Sequence, residues 1–166
     1  MIRAIWAVLA GVLLAGCVTT TAVEPQGRAL SGQNARIYLI RPDSWVGKLA
    51  VYAVEIDGKN VGKVANGSFL SVDRPPGRHE IVVAPLLDFA GARHAFHAEA
   101  GRSYYFVVNA KSTTTAVVSG SFVMAIPLPG TSMGKPTGER NFLSGIYLGA
   151  LDDAEGRAMI AALKKP

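Results

Sequence analysis

The chain has 166 residues, with 17 Lys+Arg against 12 Asp+Glu, a formal net charge of +5, three histidines and a single cysteine. One cysteine excludes an internal disulfide, and the length suits a single domain with a core of its own. The cations are scattered, among them Arg36, Arg41, Lys48, Lys59, Lys63, Arg74, Arg78, Arg93 and Arg102; they read as a solvated surface and argue against a nucleic-acid partner.

At the N-terminus Arg3 precedes an apolar run over residues 4–18, which contains Leu14-Ala15-Gly16-Cys17. A positive residue, an apolar stretch and a small-residue cleavage region follow the order of a secretory signal. The run is 15 residues long, short of the roughly 20 that cross a bilayer as a permanent helix. Leu14-Ala15-Gly16-Cys17 resembles the lipobox of a bacterial lipoprotein signal at all four positions. That resemblance implies removal of residues 1–16 and acyl chains on Cys17, so membrane lipid is the first expected partner. A single myristoyl chain holds a protein only reversibly, whereas the two or three chains of a lipoprotein hold it firmly. Val18, rather than Asp, follows the cysteine, which in a Gram-negative host favours the outer membrane with the domain facing the periplasm. Without residues 1–16 the charge is 16 minus 12, or +4, and the mature chain has no free thiol.

Residues 17–34 carry the cysteine and then a Thr/Pro/Gly/Ser/Gln stretch without apolar period, which predicts a flexible tether. Residues 35–166 form the predicted globular domain. Ala35-Arg36-Ile37-Tyr38-Leu39-Ile40 alternates as a strand and stops at Arg41-Pro42-Asp43. Residues 49–56 predict the next strand, turned at Asp57-Gly58, where both residues tolerate positive φ. Strands are then expected over residues 60–64, 68–72, 79–84, 93–99 and 103–109, with Asn66-Gly67 and Pro75-Pro76-Gly77 as turns. Strands this regularly spaced predict a single antiparallel β-sandwich-like domain. Residues 120–130 are apolar but broken by Pro127 and Pro129, and with the Gly/Pro-containing stretch to residue 139 they predict a long loop. Residues 142–151 predict a last strand. A short C-terminal helix begins at Asp152, whose pairing with Glu155 forms a capping box, and Lys164 and Lys165 suit its C-terminal end.

The order Ala35-Arg36-Ile37-Tyr38 with Arg41-Pro42, then Ile56-Asp57-Gly58-Lys59-x-Val61-Gly62, Pro75-Pro76-Gly77-x-His79 and Glu99-Ala100-Gly101-x-x-Tyr104-Tyr105-Phe106, resembles the bacterial lipoprotein family known as domain of unknown function 2846. The central part is also similar to PEGA-type β domains. The resemblance implies an all-β, surface-anchored module and carries no reaction, cofactor or catalytic residue.

The residues themselves offer few sites. His94 and His97 lie three apart on one strand and face opposite sides, and His79 lacks a third ligand beside it, so no metal is expected. Cys17 is taken by lipid and no serine sits in a nucleophile elbow, so no catalytic constellation forms. Of the aromatic residues, Tyr104 and Tyr105 must split, one inward and one outward. Trp45 with the outward tyrosine makes one candidate contact surface. Phe122 and Met124, in the apolar stretch before Pro127, make another, which either covers a sheet edge or docks a partner. The expectation is a membrane-anchored envelope lipoprotein, without cofactor, serving as a binding, accessory or structural module toward an envelope protein or peptidoglycan. The alternative is an envelope enzyme or metal-binding protein using His79 and His94.

Overall fold

Local turns and alternating side chains build two stacked sheets. A computed structural model describes residues 20–45, 47–85, 91–110, 115–119, 122–126, 135–136 and 146–163. The apolar leader, Cys17, Lys164 and Lys165 lie outside the described residues.

The first sheet is antiparallel, in the order β1 (Thr21–Ala22), β4 (Lys59–Val64), β3 (Tyr52–Ile56), β6 (Gly77–Pro85), β7 (Ala92–Ala98). The second runs β11 (Lys135–Pro136), β12 (Ile146–Leu151), β8 (Ser103–Ala110), β2 (Ala35–Arg41), β5 (Ser68–Arg74). Asp57-Gly58 makes the β3–β4 turn with φ of 54° and 72°, and Gly67 has φ 67° in the β4–β5 turn, as the Asp-Gly and Asn-Gly pairs require. The sandwich is not wholly antiparallel, because β2 and β8 pair in parallel from Arg36 opposite Ser103 to Ile40 opposite Val107.

The core lies between the sheets. Val54, Ile56, Ile81 and Val83 of the first meet Ile37, Leu39, Leu70, Val72, Val108 and Leu148 of the second. Fully burying one such side chain is worth about 1.5–3 kcal/mol, so this core can hold the fold without a disulfide.

The outer face of the second sheet is covered by α1 (Asp153–Leu163). Ile40, Tyr105, Val107 and Leu151 are buried there, with Met159, Ile160 and Leu163 packed on them. That second burial explains why β2 is apolar on both faces rather than alternating. The helix begins as expected: the Glu155 N–H donates to Asp152 Oδ1 at 2.8 Å, and the Asp152 N–H donates to Glu155 Oε2 at 3.2 Å. Gly156 lets the helix come close, because a Cβ there would lie 2.2 Å from the Tyr105 ring.

Two expectations change here. Residues 122–126 are not loop but strand β10 (Phe122–Ile126), paired antiparallel with β9 (Thr115–Ser119). The segment expected to be a tether lies against the sandwich from Thr20 onward. β1 pairs with the edge strand β4, and the Val23 N–H donates to Val61 O at 3.1 Å. Gln26 imitates a strand on the other edge, β5, accepting from the Ser71 N–H at 2.7 Å and donating to Ser71 O at 2.9 Å. Glu24 pairs with Arg74 at 2.7 Å. Residues 20–26 thus lace the open edges of both sheets, which would otherwise present unpaired backbone.

Candidate functional site

The second sheet delivers a charge into its own interior. Arg41 ends β2 on the inward-facing series of Ile37 and Leu39 and is 1% exposed. Its guanidinium lies 4.3 Å from the centre of the Tyr52 ring and donates to Gly47 O at 2.6 Å and to Ala50 O, while its Nε has no hydrogen-bond partner. Burial pushes Arg41 below the usual arginine value, but a guanidinium remains charged at any working pH. Arg41 is therefore not part of the solvated surface to which the sequence assigned it. Arg36 is likewise buried, donating through Nε and Nη2 to the two carboxylate oxygens of Asp73 at 2.6 and 2.8 Å.

What Arg41 holds is the loop between β2 and β3, at Gly47 and Ala50. Gly47 and Ala50 are pinned from inside, and the Ala50 N–H donates to Gly47 O at 2.9 Å. From the outside, the Asn66 side chain of the β4–β5 turn accepts from the Ser44 N–H at 3.1 Å and donates to Asp43. Between these clamps Trp45 is 87% exposed and Leu49 84% exposed, two of the three large exposed hydrophobic residues among those described. The Lys48 ammonium sits 5.7 Å from the Trp45 ring centre. Two open concavities adjoin this tip. One, of about 580 Å³, is lined by Trp45, Lys48, Leu49 and Ala50; the other, of about 490 Å³, by Asp43, Asn66, Gly67 and Leu163 with Lys48 and Leu49. The arrangement is a clamped apolar tip beside one cation, suited to contact with another surface.

The remaining candidates fall elsewhere. Tyr104 faces the sandwich interior, its ring 5.1 Å from Phe96, and its hydroxyl accepts from the Glu99 N–H at 2.9 Å. Tyr105 is the outward one but is 4% exposed, beneath α1 and stacked on Tyr38 at 4.9 Å, so it offers no contact surface. Phe122 and Met124 lie on β10 opposite Ser119 and Val117, away in sequence and strand pairing from Trp45. Sequence reading selected Trp45 but missed Leu49, which it placed in a strand, and Arg41.

The histidines take separate places. His79 is 6% exposed, with Nδ1 2.7 Å from Asp57 Oδ2 and Nε2 2.8 Å from Pro75 O, so both ring nitrogens face acceptors. Burial alone would raise Asp57, but the Glu80 N–H and the His79 ring outweigh it and hold the carboxyl below its ordinary value. The pair joins the β3–β4 turn to the β5–β6 turn, as a structural lock. His94 is half-buried against Phe106 at 5.4 Å, and burial lowers its pKa. His97 is exposed on the other face of β7. Among the described residues no group of three or more His, Cys, Asp or Glu is placed to hold a metal, and no helix is long and apolar enough to cross a membrane.

Among the described residues, fold and site together define a class, a β domain of two stacked five-stranded sheets covered on one face by α1 and carrying a clamped apolar tip. Residues 31–121 match the family described as "Protein of unknown function (DUF2846)", and the chain belongs to that family. No curated protein and no solved structure matches the chain.

Proposed function

We propose that this chain is an envelope lipoprotein, held to the outer membrane by acyl chains on Cys17, whose β domain faces the periplasm as a binding or accessory module. The observation that carries the binding half is the tip itself: Arg41 and Asn66 hold Trp45 and Leu49 out in water, at 87% and 84% exposure, where a monomer gains nothing from them. The anchor half rests on Leu14-Ala15-Gly16-Cys17. An envelope protein or peptidoglycan is the further partner class for the domain. The engagement of both His79 nitrogens with oxygen acceptors supports a non-enzymatic role over chemistry at His79 and His94.

The anchor is tested by growth with a tagged fatty acid. The wild-type chain is expected to take up label and fractionate with membranes, and Cys17→Ala to lose the label and remain unprocessed. Label that persists in Cys17→Ala overturns the anchor. Stoichiometric metal in the purified protein that is lost in His79→Gln or His94→Gln overturns the non-enzymatic reading.

A further inference from the structure

The described chain begins at the end of the sandwich that carries the tip. Thr20 Oγ1 accepts from the Ala65 N–H at 3.0 Å and is hydrogen-bonded to the Ser68 hydroxyl, so Thr20 is seated on the β4–β5 turn. Asn66 of that same turn is bonded to Asp43 and to the Ser44 N–H, at the base of the Trp45 loop. Cys17 is only three residues before Thr20, and three residues span at most about 10–11 Å even when fully extended. The seating of residues 20–26 on both sheet edges therefore removes the slack that a free tether would give.

We infer that the tip carrying Trp45, Lys48 and Leu49 rests on the lipid surface of the bilayer that holds the Cys17 acyl chains, with Trp45 and Leu49 entering the interface and Lys48 meeting anionic headgroups. The inference rests on the lipid-anchor reading and deepens it by naming what the tip contacts. Three features point to lipid. The anchor and the tip share one end of the domain. An indole beside an ammonium is the side-chain pairing suited to the boundary between headgroups and acyl chains. The tip is clamped by Arg41 and Asn66, so insertion orders little that is not already ordered. The β3–β4, β5–β6 and β7–β8 turns lie at the opposite end and would face away from the membrane. The domain would then stand in a fixed orientation rather than swing on a leash.

Trp45 can report on itself, because the only other tryptophan is Trp6 in the leader, and Trp6→Phe leaves Trp45 alone whether or not the leader is removed. The full chain, labelled with tagged fatty acid in the host, is purified and reconstituted into vesicles of phosphatidylethanolamine and phosphatidylglycerol with brominated acyl chains. The expected result is Trp45 emission shifted to shorter wavelength, quenched by the brominated chains and protected from aqueous iodide. Leu49→Asp is expected to weaken that quenching. In a Trp45→Phe, Glu99→Trp chain, the reporter at the β7–β8 turn is expected to stay unquenched by bromine and open to iodide. A fatty-acid-labelled chain whose Trp45 is open to iodide and untouched by bromine overturns the inference and leaves the anchor standing. Protection from both quenchers assigns the tip to a protein surface and also overturns it. Absence of the fatty-acid label overturns the anchor, and the inference with it.

Discussion

A guanidinium inside a β domain has to be held by something, and here two carbonyls and a tyrosine ring hold Arg41. No carboxylate shares the site among the contacts described, so the cation acts as a fork that gathers Gly47 O and Ala50 O into one fixed loop. Charge-assisted hydrogen bonds contribute roughly 1.5–3 kcal/mol each, set against the cost of burying the charge. Arg41→Met keeps the apolar length, relieves the unpartnered Nε and removes both bonds. It is expected to destabilise the domain by about 2 kcal/mol in urea unfolding, and to lower the anisotropy of Trp45 as the loop loosens. Arg41→Lys should recover stability only in part, since an ammonium cannot reproduce the planar fork. Unchanged anisotropy in Arg41→Met would assign the clamping of the loop to Asn66 alone.

At the scale of elements, the most exacting contact is that of β1 on β4. Gly62 has φ +139°, and a Cβ there would lie 2.3 Å from Thr21 O. Gly62→Ala therefore cannot keep β1 paired. It is expected to cost about 1–3 kcal/mol, the usual range for backbone strain at such a position, and to open Arg28 to trypsin while β2–β8 stay protected from hydrogen exchange. Retained protection of Arg28 would mean that Gln26 and Glu24 alone hold the segment. The element also shows what a sequence can and cannot disclose. Strands β2–β8 and the helix start were legible because Asp57-Gly58, Asn66-Gly67 and Asp152-x-x-Glu155 act locally, through turns and caps that need no distant partner. The docking of residues 20–26 was not, because Thr20, Glu24 and Gln26 bind through polar side-chain contacts that leave no apolar period. The parallel β2–β8 pairing was illegible for a related reason: strand order is settled by the long return of the chain, not by either strand. Of the site, Trp45 stood out as an aromatic residue in a loop. Arg41 looked like any surface cation, since burial is a property of the surroundings and not of the residue type.

Across the whole molecule, protons report on two separate regions. His94 sits on the aromatic flank between the sheets, its rings neighbouring Phe96 at 6.0 Å and Phe106 at 5.4 Å, and burial holds its pKa below 6.5. Asp73 is held below 3.8, first by its hydrogen bonds from Arg36, and Asp57 is also below 3.8. Stability falls as pH falls wherever the unfolded chain binds more protons than the folded one. For His94 that begins as pH drops below about 6.5, where the unfolded ring protonates and the folded ring does not, and it ends once the folded ring also charges. For Asp57 and Asp73 the unfolded carboxyls protonate near 3.8, so their contribution is complete above that value and lost as pH falls through the lower folded values. The domain should therefore show a plateau at neutral pH and two descents, one below about 6.5 and a second below about 4. Urea midpoints measured from pH 7.5 to 3 check this. His94→Phe keeps a ring against Phe96 and Phe106 and should erase the upper descent alone. Asp73→Asn should lower the neutral plateau, because Arg36 loses its carboxylate, and shrink the lower descent. An upper descent that survives in His94→Phe would place the responsible proton elsewhere than on the aromatic flank. The two descents have separate causes because the flank excludes charge while the turns at the end away from Trp45 are built on it. The tip itself carries no titrating partner in either set, so its presentation should not change across the upper descent as long as the fold persists.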